Sequence, residues 1–564
     1  MSSLRVIALG GLGEVGMNCL VLEQRGEALV VDCGVTFDSR GLGIDVVHPD
    51  FSALDRLRVA GLFLTHGHED HIGAVPYFLR RFDVPVYGGR YALGLVRERA
   101  AEHEVLEHVD LHEVRPRTAV RVGSFEVEPV RVTHSIADAT SLAIRTDAGM
   151  VIHTGDFKFD ESPPDGEAFD VARFEELSRD GVRLLMSDST NIDAQGTSGS
   201  EAGVGEALDA LVAGAEQAVV VGIFASNVHR LRMLGEIARR HGRKIVALGR
   251  SVGTHSRVAR STQRATGPDA GAPYLEWPND LVWPAERARE LPKRAVLGVA
   301  TGTQGEATAA LARLGRGDHK ALDLGPGDLV VLSSRAIPGN EAGVMRAMAD
   351  LLRRGVELRT WWSDRGVHVS GHAHRGEQRK MLDLVRPRGF LPLHGTLHHL
   401  VRHAALAREA GVTDVCVLED GEVCEVGEAG LAKGAPVQAG RVHVVAARAL
   451  PPAALSERMA LASRGVAHVV VPVDARGMPG SITLVTSGVL DPAAEAGLLA
   501  AARREVEGAV VELMDRMNKP GAPASGTAST EEIAEVAAGA VRRCFGKALG
   551  FRPVTTATVL RTTR

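Results

Sequence analysis

The chain has 564 residues, 65 Lys+Arg against 70 Asp+Glu for a formal net charge of -5, and 45% apolar residues. That length implies two to four packed domains, and the near-balanced charge excludes a disordered chain and an indiscriminate polyanion binder, though not a local basic channel. No run approaches the ~20 apolar residues of a membrane helix, and five scattered cysteines without a Cys-x-x-Cys pair exclude a disulfide framework and a thiolate zinc site.

Taken in chain order, residues 6–9 read as a strand directly behind Met1 to Arg5, with none of the features of a secretory signal, so a soluble cytoplasmic protein is expected. Gly11, Gly13 and Gly16, with Asp32 after the next strand, formally meet a dinucleotide fingerprint. The composition of residues 17–22 is that of a strand, however, and Arg25-Gly26 turns it into the next one, so a glycine-opened hairpin is expected and no crossover helix. Further β-branched runs at 29–32, 61–65, 150–153 and 184–186 alternate with Gly-rich loops, the rhythm of a layered α/β domain. A helix is expected over 72–81.

From about 203 to 350 the pattern becomes regular βα, with helices near 203–214 and 228–241 and strands at 218–223, 244–248 and 328–332. This reads as a separate doubly wound unit. Residues 366–426 return to short strands and His-rich turns, as though the chain re-enters the first domain after an insertion. The C-terminal stretch carries strands at 468–472 and 482–486, a helix over 491–516, a Pro- and Gly-containing linker at 518–527, a helix at 530–546 and a strand at 554–560. Leu498, Leu499, Val506, Val510 and Leu513 fall near helical spacing, a core pattern. The expected boundaries are 1–202, interrupted by 203–350 and resumed over 351–447, then a linker at 448–465 and a C-terminal domain at 466–564.

Chemistry concentrates in Thr65-His66-Gly67-His68-Glu69-Asp70-His71, which follows one strand and precedes a helix. Strand alternation points His66 and His68 the same way, and the turn brings Asp70 and His71 to a neighbouring position. Imidazole and carboxylate together suit zinc or manganese, and the density suits two adjacent ions. Other strand ends carry Thr133-His134-Ser135, Thr154-Gly155-Asp156 and Leu393-His394-Gly395. His153 lies one residue inside its strand and reads as a core histidine or one standing behind the ligands.

The motif matches HxHxDH without departure, and the sequence resembles the metallo-β-lactamase superfamily. The resemblance implies an αββα sandwich holding two divalent ions. It gives His66, His68, His134 and Asp156 to one ion, and Asp70, His71, Asp156 and His394 to the other, with Asp156 bridging. Where the superfamily's di-iron oxygen reductases carry Glu, this chain has His68, which favours hydrolysis over redox chemistry.

An α/β insertion before the last ligand, together with Asp188, His372 and His394, resembles the β-CASP nucleases, in which a terminal His points to RNA and a Val to DNA. Gly10 to Gly16, Val31 to Gly34, Phe224 to Arg230, Ser333 to Glu341 and the Ser-Gly-His-Ala and Pro-Leu-His-Gly stretches resemble bacterial ribonuclease J in particular. The departure from that pattern is the Pro- and Trp-containing stretch 272–286. This resemblance implies a fold of three parts: the αββα sandwich, the inserted α/β β-CASP domain and a small α/β C-terminal domain.

It also implies a ribonuclease of RNA maturation and mRNA decay that works 5′ to 3′ from a 5′-monophosphate and has some endonuclease activity. A hydroxide activated by the two metals would attack phosphorus, and His372, oriented by Asp188, would protonate the leaving 3′ oxygen, giving 5′-phosphate products. His368, Val369, Ser370, Gly371, His372, Ser333, Ser334, Arg335 and Asn340 are expected to hold phosphate, and Asn227 and Arg230, at a helix start, further phosphates. Expected partners are single-stranded RNA, a second copy through the C-terminal domain (as dimer or tetramer) and proteins of an RNA-degradation complex, with no membrane. A DNA-processing β-CASP enzyme, a small-molecule metallo-hydrolase and an inactive RNA-binding scaffold are the competing readings.

Overall fold

Strand Leu4–Gly10 sorts its apolar side chains by parity: Leu4, Val6 and Ala8 join one buried cluster, Ile7 and Leu9 another. A strand apolar on both faces must lie between layers. The computed structural model, which describes residues 4–337, 340–517 and 528–562, places it there. Two compact units emerge, Met1–Ser39 with Asp45–Ala447, and Arg40–Ile44 with Arg448–Arg564.

The first unit holds two facing sheets. One runs, in spatial order, 430–433, 423–427, 4–10, 19–24, 27–31, 58–63, 86–88 and 111–113; the other runs 414–415, 389–393, 182–188, 149–153, 140–146, 125–131 and 120–122. Leu20, Leu22, Leu29, Val31 and Phe63 of the first meet Val127, Leu142, Ile144, Val151, Leu184, Met186 and Leu391 of the second. Truncating a side chain as large and enclosed as Phe63 costs about 3–5 kcal/mol. Opposite-parity residues bury against helices: Ile7, Val21 and Val30 beneath Val75, Phe78 and Val96, and Ile152, Leu185 and Phe390 beneath Phe174, Leu177, Met381 and Leu382. The result is the αββα sandwich that the resemblance implies.

The Gly-rich segment is a hairpin. Strand Cys19–Gln24 runs antiparallel to Leu4–Gly10, and Gly11, Gly13 and Gly16 take φ of 88°, 93° and 89° to make the turn. The helix expected over 72–81 is two short ones, Glu69–Ile72 and Val75–Leu79. Pro76 has no N–H to return to residue 72, so the first helix ends and a second begins with Pro near its start.

The insert carries a five-stranded parallel sheet in the order 244–248, 296–300, 219–222, 329–332 and 357–360. Val219, Val221, Val299 and Val331 pack toward one set of helices, and Val220, Val246, Val330 and Leu332 toward another, so it is doubly wound. Its last strand, Glu357–Thr360, lies beyond the boundary expected at 350, because it pairs with Leu329–Leu332. The 272–286 stretch packs inward: Trp277 lies over Gly235, donating its indole N–H to Leu231 O at 3.2 Å, where a Cβ would collide with the ring.

In the second unit, Pro452–Arg464 is a helix where a linker is expected. Strand Val466–Val473 lies between Thr483–Ser487 and Val554–Arg561, parallel to the latter. Ala467, Val469, Val471 and Val473 bury against Leu499, Val506, Val510, Ile533, Val541 and Phe545 of two long helices, while Leu498 and Leu513 are only partly buried. The linker expected at 518–527 lies outside the described residues.

Candidate metal centre and catalytic site

Strands Gly149–His153, Val182–Asp188 and Gly389–Leu393 are consecutive parallel neighbours. Parallel strands end on the same side, so Asp156, Asp188 and His394 emerge together. Strands Arg58–Phe63 and Phe125–Arg131 deliver the 66–71 turn and His134 to the same place.

His66 Nε2 and His134 Nε2 lie 3.0 and 3.1 Å from His68 Nδ1. Burial, then charge from neighbouring histidines, holds His66 and His68 far below the usual imidazole range, and burial with His372 brings His134 to about 3. All three are thereby held toward the neutral form. His134 gives its Nδ1 proton to Gly371 O at 2.6 Å, and His66 Nδ1 meets Thr65 Oγ1 at 3.0 Å, so the hydrogen-bond network leaves both Nε2 atoms with lone pairs. Lone pairs converging on one point repel unless a cation lies between them, so this donor set fits a metal ion.

Asp156 Oδ2 stands 3.2 Å from His71 Nε2 and 3.7 Å from each of His66 and His134 Nε2, and Oδ1 accepts from His394 Nδ1 at 2.8 Å. Burial opposes its charge, but His394, His71 and His372 outweigh burial and hold its carboxyl well below the usual range. His394 Nε2 is buried without a hydrogen-bond partner, 3.4 Å from Asp70 Oδ2. Two four-residue groups therefore share Asp156: His66, His68, His134 and Asp156, and Asp70, His71, Asp156 and His394. Hard carboxylate and imidazole donors suit zinc or manganese. Asp156, Asp188, His372 and His394 form a third convergent group.

His372 Nδ1 lies 2.9 Å from Asp188 Oδ2. Burial disfavours its charged form, but Asp188 and then Asp156 raise it to about 9. Asp188 is 1% exposed and also accepts from Thr190 N and Oγ1 at 2.9 and 2.6 Å, which fix its carboxylate.

Known proteins resemble this chain over most of its length. Proteins named Ribonuclease J are 38% identical in Mycolicibacterium smegmatis, over 89% of this chain and 90% of that one, and 40% identical in Mycobacterium tuberculosis (strain ATCC 25618 / H37Rv), over 84% of each. This chain belongs to the ribonuclease J family.

Its parts match in order: "Metallo-beta-lactamase superfamily" over residues 12–197, "Ribonuclease J, beta-CASP domain" over 216–351, and "Zn-dependent metallo-hydrolase RNA specificity domain" over 365–417. Against the Ribonuclease J of Helicobacter pylori (strain J99 / ATCC 700824), 38% identical, the match covers 78% of this chain and 63% of the relative's length. A crystal structure of a protein of unknown function from Enterococcus faecalis V583 shares the fold with a TM-score of 0.52 at 15% identity, covering 75% of this chain and all of that one.

In this ribonuclease J chain the residues expected to hold phosphate divide. His368, Val369, Ser370 and Gly371 are partly exposed beside His372. Ser370 Oγ accepts from His372 N at 3.0 Å and from Asn191 Nδ2 at 2.6 Å. A Cβ at Gly371 would stand 2.5 Å from Ser135 Oγ, so only glycine lets this loop approach His134. Burial, followed by Arg230, lowers His368 to about 3. Arg335 is exposed, and Asn340 is partly exposed with its amide toward Gln304.

Asn227 and Arg230, by contrast, are 3% and 1% exposed. Asn227 caps its helix by accepting from Arg230 N, while the Arg230 guanidinium binds both Glu201 oxygens at 2.7 and 2.9 Å and donates to Ser333 O. Ser333 is likewise enclosed, its hydroxyl on Val367 O at 2.6 Å, and Ser334 is buried. All four are buried, and Asn227, Arg230 and Ser333 are committed to partners inside the protein.

Asp32 was visible in sequence only as the acidic residue of the rejected fingerprint and within the Val31 to Gly34 stretch. It takes His71 Nδ1 on Oδ2 at 2.8 Å and Thr65 N and Oγ1 at 2.8 Å each, which aims His71 Nε2 at Asp156. Gly34 lets the backbone lie against Asp70, whose carbonyl a Cβ would strike. His153 accepts from Gly155 N at 3.0 Å and thereby shapes the turn that carries Asp156.

Proposed function

We propose that this chain is a metal-dependent ribonuclease that hydrolyses single-stranded RNA 5′ to 3′ from a 5′-monophosphate, with some endonuclease activity, in RNA maturation and mRNA decay. The observation that carries the reading is the convergence of neutral His66, His68 and His134 beside a shared Asp156, next to the His372–Asp188 pair. His394 in the last ligand position supports RNA over DNA, and the family relatives bear the name Ribonuclease J.

Two divalent ions, zinc or manganese, held by these groups would supply Lewis acidity and lower the pKa of water for hydrolysis at phosphorus. Asp188 holds Nδ1 of His372, which leaves Nε2 to give a proton to the departing 3′ oxygen. Asp32 and Gly371 hold the Nδ1 atoms of His71 and His134, which turns their Nε2 atoms inward. No 2′-hydroxyl is needed, so products carry a 5′-phosphate. The loop His368 to Gly371 is the proposed seat of the terminal phosphate. Pairing of two copies through the C-terminal unit, and association with other RNA-degrading proteins, belong to the same proposal.

The test uses 3′-labelled single-stranded RNA bearing a 5′-monophosphate or a 5′-triphosphate, with Mn²⁺ or Zn²⁺ and after chelation. Metal-dependent release of 5′-mononucleotides, faster from the monophosphate, is expected. No cleavage of either RNA by protein of full metal content would overturn the reading.

A further inference from the structure

The carboxyl edge of the insert's sheet carries a feature the metal centre does not use. Leu332 and Thr360 end paired parallel strands, so Ser333 and Trp361 leave the sheet side by side. Arg335 lies over the Trp361 ring, 4.9 Å from its centroid, and Arg365 lies 5.9 Å from the same centroid. Trp361 and Trp362 are 5.6 Å apart with ring planes 37° from parallel, and Trp362 is 52% exposed. Holding so large an apolar ring in water is unfavourable, and a second ring covered by two guanidinium groups holds it in place.

The patch adjoins the loop that carries His372. Ser333 is tied to Val367, whose successor His368 begins the loop that runs to His372. Arg365, which shares the Trp361 ring with Arg335, stands three residues before His368 and so ties both cations to the start of that loop. The acid of this segment, Asp364, turns its carboxylate onto Gly366 N at 3.0 Å. An open indole face flanked by exposed cations matches a nucleobase flanked by phosphodiesters, because every base offers a π face and each linkage a negative charge.

We propose that Trp362, supported by Trp361, Arg335 and Arg365, is a stacking subsite for one nucleobase of a single strand engaged at the metal centre. This rests on the ribonuclease reading and gives that site a second point of hold. Stacking tolerates any base, so the subsite adds affinity and register without sequence preference.

The test is an abasic scan. Single-stranded RNAs, each with one abasic position, are measured against the metal-loaded wild type, Trp362→Ala and Trp362→Phe, by fluorescence anisotropy and by cleavage kinetics. In the wild type, one position should weaken binding roughly 5- to 150-fold, through KM more than kcat. Trp362→Ala should flatten that position to the level of its neighbours, and Trp362→Phe should keep most of the effect. An abasic profile unchanged in Trp362→Ala overturns the subsite even when RNA is cleaved. Failure of the wild type to cleave RNA overturns the ribonuclease reading instead, and the anisotropy profile then still decides the subsite. Loss of binding to a protein partner, with an unchanged RNA profile, would reassign the patch and refute the proposal.

Discussion

Replacing Asp32 by Asn tests how the fold prepares the metal centre, because the change keeps volume and removes one acceptor. Asp32 accepts from Thr65 N on Oδ1 and from Thr65 Oγ1 and His71 Nδ1 on Oδ2, each at 2.8 Å. With the amide nitrogen in the Oδ2 position, His71 meets a donor and shifts its proton to Nε2, the atom 3.2 Å from Asp156 that a metal needs as a lone pair. With the amide reversed, the Thr65 N–H loses its acceptor in a site where Asp32 is 1% exposed. A buried unmet donor costs about 1–3 kcal/mol, and loss of an orienting partner lowers metal affinity about 10–100-fold. The effect should fall most on the group Asp70, His71, Asp156 and His394, which His71 serves directly, and less on the group of His66, which Asp32 reaches only through Thr65 Oγ1. Titration against a chromophoric chelator, with elemental analysis of metal per chain, reads the difference directly. Two ions retained at wild-type affinity by Asp32→Asn would refute the role given to Asp32.

Asp156→Ala removes the shared carboxylate and should abolish cleavage together with most bound metal; turnover at the wild-type rate would remove Asp156 from the centre. His372→Ala should leave metal content near normal and slow the chemical step about 10²–10⁴-fold, whereas collapse of metal content would make His372 a ligand of the third convergent group. Gly371→Ala places a methyl 2.5 Å from Ser135 Oγ and displaces the carbonyl that orients His134, so stability should fall by about 1–3 kcal/mol, seen as an earlier urea midpoint. Glu201→Gln leaves the Arg230 guanidinium buried without its counter-charge and should cost about 3–5 kcal/mol, an effect that an unshifted midpoint would contradict.

Strand periodicity made most of the fold legible, because residues 4–10, 149–153 and 389–393 are apolar on both faces and can only be interior strands. The parallel insert was legible for the same reason in three of its five strands; Val296–Ala300, broken in pattern by Gly298, and the edge strand Glu357–Thr360, whose first residue is exposed so that its composition resembles a loop, were not. The convergent histidine and aspartate groups were legible because these residues at strand ends have few uses other than holding a cation. What stayed hidden was burial. Arg230 at a helix start looks like a phosphate contact until Glu201, 29 residues earlier, turns out to take up its charge. Asp32 was hidden because its partners, Thr65 and His71, lie 33 and 39 residues away.

Asp156 and His394 are 238 residues apart along the chain and 2.8 Å apart in space. Strand Gly389–Leu393 docks beside Val182–Asp188 only after a whole domain has been threaded between them. The entropic cost of closing that loop grows with its effective length, and a folded insert shortens it. Folding of the insert should therefore bear on how many molecules bring Asp156 and His394 together. A substitution deep in the insert's sheet, far from every ligand, can then lower the yield of metallated protein while each metallated molecule turns over at the normal rate.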